Sequence, residues 1–274
     1  MIRRDILGPA AIALALLAAS VGLARAADRA RATEARAASG GPPLGVLNVI
    51  AVDLLWLRAD TLFAEGRWPE MLAAYEAVGE LAPRLTESWE YRGFHLAYNL
   101  AGGCTDEGAR DRWVLEGVRV LDEGVRRNPA SAGLRAYLGH VLFFRSKRWP
   151  SAARLLAERR GRDPVDEAIE HLGAAHEGDP GDGRTVLWMV DALLERGRKR
   201  LDTARPGTPA PDAAADFARG AGALAAVAET APPHGRDHAN AMASVLEDLK
   251  RAAESRDPAE RAAILRGVDQ APPR

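Results

Sequence analysis

The side chains that could do chemistry are few and scattered. His171 and His176, with Glu167 and Glu170 nearby, are the residue types that ligate metals, but they stand five apart. Two ligands on one helix face need a spacing of three or four. His234 and His238 have that spacing, yet they straddle a Pro-rich helix start and lack a third ligand, so no metal and no cofactor is expected. The sole cysteine, Cys104, lies in Gly102-Gly103-Cys104-Thr105, which reads as an exposed turn. It excludes an internal disulfide framework, and no neighbouring base marks it as a nucleophile. The carboxylates of Asp166–Glu170 read as a solvated first turn, where the helix dipole favours them. No glycine-rich phosphate loop occurs, and no Ser/His/Asp order in a strand–turn–helix context. An enzyme would need buried, convergent titratable groups between Val165 and Arg236, which the sequence does not show, so a non-enzyme is predicted.

Composition narrows the class. The 37 Lys and Arg nearly cancel the 38 Asp and Glu, which argues against a nucleic-acid binder needing a basic surplus. Helix formers, Ala above all, outnumber β-branched residues, so an all-α protein is predicted. A chain of 274 residues could hold one or two domains or a single elongated core of repeats.

Residues 1–26 read as a signal peptide or a signal-anchor helix. Arg3 and Arg4 precede the apolar run Ile6–Leu23, and Ala24-Arg25-Ala26 offers small residues to a signal peptidase. At about 1.5 Å per residue the same run spans about 27 Å, close to the roughly 30 Å hydrocarbon core, so an uncleaved anchor fits equally. Arg25, Arg29, Arg31 and Arg36 outnumber Arg3 and Arg4, so basic flanks do not choose the orientation. Residues 27–43, rich in Ala, Arg, Gly and Pro, read as a flexible linker. The expected location is the cell envelope: anchored in the inner membrane with the folded part extracytoplasmic, or periplasmic or secreted after cleavage.

Val52–Pro83 carries the organising pattern. Leu54, Leu55, Leu57, Leu62 and Phe63 fall on one broad helical side, and Gly66 ends that helix. Pro69 opens a second, along which Met71, Leu72, Tyr75, Val78 and Leu81 keep a three-to-four spacing up to the stop at Pro83. Trp89, Arg92, Gly93, Leu96 and Asn128-Pro129 repeat the layout, with an insertion around Ala101–Asp111 that lengthens the turn. A third unit has Leu138, Gly139 and Leu142, then Arg148-Trp149-Pro150 leading into Ala152 and Leu156. That triplet also stands at Arg67-Trp68-Pro69, the best sign of an internal repeat.

These units resemble the tetratricopeptide repeat family, whose helix–turn–helix unit carries W-x2-L-G-x2-Y, A-x3-F and a terminal proline. Trp89-x2-Arg92-Gly93-x2-Leu96 matches the first helix except at Arg92; Gly66, Trp68, Tyr75 and Pro83 match the remainder in the first unit. The resemblance implies an α-solenoid of hairpins over 44–232 with capping helices and a tail over 233–274, preceded by the hydrophobic N-terminal helix. Val165–Pro180 reads as an extra helix, Gly183–Arg198 as a first helix and Ala213–Pro232 as its partner. First helices of such arrays line a concave groove, which places Trp56, Asp60 and Phe63, then Tyr91, Phe94 and Tyr98, then Tyr137, His140 and Phe143, then Trp188 and Asp191 on that face. The implied function is a protein-interaction scaffold gripping a peptide or protein segment; self-association into an envelope assembly is the alternative. A cluster of first-helix Lys and Arg that would clamp a chain terminus is not evident.

Overall fold

The computed structural model describes residues 45–205 and 207–270. The leader and linker predicted over 1–43 lie outside them. Every regular element among the described residues is helical, and the chain divides into two compact units between Leu85 and Thr86.

The first unit is the predicted hairpin: α1 (Gly45–Ala64), a tight turn through Gly66 at φ +71°, and α2 (Trp68–Leu81) with Pro69 in its first turn. Its core joins Ala59 and Leu62 to Met71, Ala74 and Tyr75, with Trp56 and Trp68 packed against it. The buried side of α1 differs from the predicted one. Leu54 and Leu57 are 61% and 56% exposed, while Val52, Ala59 and Leu62 turn inward. This helix is apolar nearly all round, so its periodicity carries no phase.

The second unit opens with α3, one continuous helix: α-helical over Thr86–Phe94, π-helical over His95–Leu100 and α-helical again over Ala101–Gly103. The expected long turn is absent. The extra residues are absorbed in the π segment, an inserted-residue device, and in helix length, leaving a turn of 104–106 before α4 (Glu107–Arg127). Then follow α5 (Ala132–Arg148), α6 (Pro150–Arg160), α7 (Pro164–Gly178), α8 (Gly183–Thr203), α9 (Pro211–Thr230), α10 (Pro233–Glu254) and α11 (Pro258–Gln270). Their boundaries are locally encoded. Asp106, Ser131, Asp163 and Asp182 each accept a backbone N–H of the helix they precede, and α6, α7, α9, α10 and α11 open at proline.

Small residues set the closest helix pairs. A Cβ on Gly93 would stand 2.5 Å from Leu121 Cγ, and one on Gly117 2.8 Å from the Gly93 carbonyl, so α3 and α4 approach backbone to backbone. On α8, Gly197 leaves room for the Phe217 ring of α9, and α9 in turn packs on α10. The third pairing corrects the reading of the second Arg-Trp-Pro triplet. Helix α5 packs chiefly on α7, where a Cβ on Gly139 would meet Leu172 Cγ at 2.6 Å, and only lightly on the short α6. The helix read as extra is the partner, and the one read as the partner is the insertion. Helices α4 and α5 also touch, as do α7 and α8, so the pairs follow one another side by side.

Two arginines staple these pairs. Arg160, closing α6, bonds Asp122 on α4 and Glu167 on α7; Arg196 on α8 bonds Asp166 on α7 and Asp216 on α9. Of the carboxylates predicted to be solvated there, Asp166 and Glu170 keep solvent contact but Glu167 does not. Glu167 is 5% exposed and its carboxylate is neutralised by Arg160.

Candidate functional site

The predicted face residues of the second unit converge, for the most part, on one strip. Phe94 and Tyr98, one turn apart on α3, stack at 4.5 Å with 8° between their planes. Tyr98 lies parallel to His140 of α5 at 5.5 Å and 13°, and its hydroxyl is 2.6 Å from His140 Nε2. His140 in turn meets Trp188 of α8 at 4.1 Å, and Trp188 stands edge-on to Tyr137 at 6.0 Å. Three helices that are distant in sequence thus present one run of rings, each half-buried. The π segment contributes directly, because Tyr98 lies within it; such segments are rare and cluster at functional positions.

Burial governs the protonation of this run. It pushes the Tyr98 phenol up to about 12, against the opposing pull of Arg145. It also pulls His140 down to about 4, helped by the positive charges of Arg145 and Arg184. Both groups are neutral near pH 7, so they hold each other by a neutral hydrogen bond and keep their protonation states there. Glu90, one turn before Phe94, is pushed up to about 7 by burial and by Glu87, with Arg184 opposing. Asp191, one turn beyond Trp188, is raised by burial and lowered by Lys147.

Arginines frame the rings. Arg184 hangs over Trp188 and Tyr137 at 5.0 and 5.4 Å, and Arg145 lies over Tyr98 at 3.7 Å and over Trp149 at 4.7 Å. Such contacts stabilise a cation whose hydration has been partly removed. No family model matches the chain, and no curated protein matches it.

The remaining predicted residues fall elsewhere. Phe143 is 1% exposed and belongs to the core; its neighbour Phe144 is the one that reaches His140, at 4.5 Å. The register carried from Pro129 is off by one residue here. Tyr91 is 48% exposed and lies beside His95 at 6.2 Å, away from the Tyr98 stack. In the first unit Trp56 packs edge-on against Tyr75 and Phe63 against Trp68, both at 5.3 Å, while Asp60 is exposed. Sequence reasoning missed Glu90, Phe144, Arg145, Trp149 and Arg184. Glu90, Phe144 and Arg184 had a signal, since each stands four residues from a face residue on the same helix: Phe94, His140 and Trp188.

The residues considered for metal or nucleophilic chemistry are placed as follows. Among the described residues no group of three or more His, Cys, Asp or Glu could hold a metal ion. His171 Nε2 lies 3.7 Å from Glu167, and His234 and His238 are exposed within the first turns of α10. Cys104 is half-buried, its thiol donating to the Leu100 carbonyl at 3.2 Å. No described helix is long and apolar enough to cross a membrane.

Proposed function

We propose that this protein is a non-enzymatic scaffold of tetratricopeptide-like hairpins that holds a segment of another protein against the α3/α5/α8 strip. One observation carries the reading: Phe94, Tyr98, His140 and Trp188 form an unbroken, partly exposed run of rings across three helices. Half-buried aromatics keep their apolar faces available to a guest at low entropic cost. In this reading the pairs α3/α4, α5/α7 and α8/α9 are successive units of a solenoid, with α6 an insertion and α10 and α11 the cap. The basic-then-apolar pattern of Arg3, Arg4 and Ile6–Leu23 supports targeting to the cell envelope, and in this proposal the hairpins lie outside the cytoplasm.

Site-specific photocrosslinking in cells tests it. A photoreactive residue at Tyr137 should give a discrete adduct with another protein, and the same residue at the exposed Glu158 of α6 should not. Equal labelling from both positions, or none from 137, removes the proposal.

A second reading, association between copies, is favoured by α1. Ile50, Leu54 and Leu57 follow one another at four and three residues and are each at least half exposed. Sedimentation of the chain against L54D/L57D separates the two: a concentration-dependent dimer lost in the variant supports self-association through α1.

A further inference from the structure

Among the described residues, the partly buried arginines that join helices meet carboxylates, or, as at Arg261, backbone carbonyls. Arg160 has Asp122 and Glu167, and Arg196 has Asp166 and Asp216. Arg145, at the last turn of α5, breaks that pattern. Its guanidinium lies between the rings of Tyr98 and Trp149, and among the described residues no carboxylate pairs with it. Burial destabilises its charge, the neighbouring Arg148 does so further, and its Nε is buried without an acceptor. Stacking on two rings and the Tyr98 hydroxyl offset part of the lost hydration, but no carboxylate balances the charge.

The hydrogen-bonding of the adjacent pair points the same way. Where Tyr98 donates to His140 Nε2, the neutral imidazole carries its proton on Nδ1, which is buried and has no partner. In the opposite tautomer the Tyr98 O–H is the donor left over. Either arrangement leaves one donor of the pair unmet near the Arg145 cation, whose Nε also lacks an acceptor, and an anionic oxygen is the complement of both.

We infer that Arg145, together with Tyr98 and Trp149, is a subsite for an internal acidic side chain of the bound segment, an Asp or Glu flanked by apolar residues. The flanking residues would lie on the Phe94 and Trp188 rings, and the carboxylate would take the guanidinium donors left over beside the Tyr98 hydroxyl, which no carboxylate among the described residues meets. This rests on the peptide-binding reading above, and it differs from terminal-carboxylate capture because the ligand's own ends are not involved.

The test uses the full chain and three pools of heptapeptides blocked at both ends. Their central residue is Glu, Gln or phosphoserine, and the other positions are drawn from Leu, Phe and Ala. Retention of the Glu pool should exceed that of the Gln pool by about tenfold or more, the scale of one charge-assisted hydrogen-bonded pair. Arg145→Gln should bring the two pools level, and Arg145→Lys, keeping the charge without the planar fork, should fall between. Equal retention of the Glu and Gln pools overturns the subsite and leaves the peptide-binding strip standing. Stronger retention of the phosphoserine pool overturns the carboxylate assignment. Retention of none overturns both. The pool comparison on the unaltered chain decides even if Arg145→Gln fails to fold, which circular dichroism reports.

Discussion

Tyr98 and His140 join α3 to α5 through a 2.6 Å hydrogen bond between rings only 13° from parallel. The bond ties two helices separated by 42 positions in sequence, and it lies in the middle of the proposed binding strip. Tyr98→Phe removes the hydroxyl and strands His140 Nε2. Loss of a buried partner of this kind costs about 1–3 kcal/mol. Urea denaturation followed at 222 nm reads it, and a change well under that range means the bond is not made in solution.

The α5/α7 pairing depends on a missing side chain. Gly139→Ala would place a methyl 2.6 Å from Leu172 Cγ and 2.9 Å from the Ala168 carbonyl, the second of which is backbone and cannot swing away. Overpacking of this sort costs about 1–3 kcal/mol. Gly102→Ala, with nothing within 4 Å, is the control. It should be neutral or stabilising by about 0.5–1 kcal/mol, the helix preference of Ala over Gly. If Gly139→Ala is as benign as Gly102→Ala, α7 is not the close partner of α5.

Acid should loosen the joint between α4, α6 and α7. Burial alone would raise the Glu167 carboxyl, but hydrogen bonds from Arg160, with His171 close by, outweigh it and hold the group at about 2. A depressed carboxyl contributes stability that is present above its unfolded value, 4.5, and is lost as pH falls toward 2. Glu167→Gln should therefore melt below the parent at neutral pH, and the gap between the two should close on acidification. A gap that is constant with pH contradicts the pairing with Arg160.

Glu90 predicts the reverse dependence. Its carboxyl is raised from 4.5 to about 7, so the folded chain prefers the neutral acid. That contribution is complete below 4.5 and disappears as pH rises through about 7. Glu90→Gln, which imitates the neutral form, should match the parent in melting temperature near the lower value and exceed it above the upper one. A parallel pair of melting curves would mean that Glu90 is solvated.

Much of the local structure was legible in the residues alone. Asp and Ser caps, prolines at helix starts and Gly66 at its turn act over three or four positions, so each boundary is written beside the helix it defines. The aromatic spacing of Phe94 and Tyr98, and of Tyr137 and His140, was visible too, because a helix face is a matter of period. Which helix meets which was not written locally. The same Arg-Trp-Pro triplet precedes α2, the true partner of α1, and α6, a bypassed insertion, because partner choice depends on shape at sites such as Gly139 and Leu172. For the same reason Phe143, expected on the face, lies in the core while Phe144 reaches His140, and Glu167 went from solvated to buried: both turn on what arrives from elsewhere in the chain. The charge of Arg145 is likewise visible in sequence, but the absence of a paired carboxylate among the described residues is not, since only the folded chain brings Tyr98 and Trp149 around it.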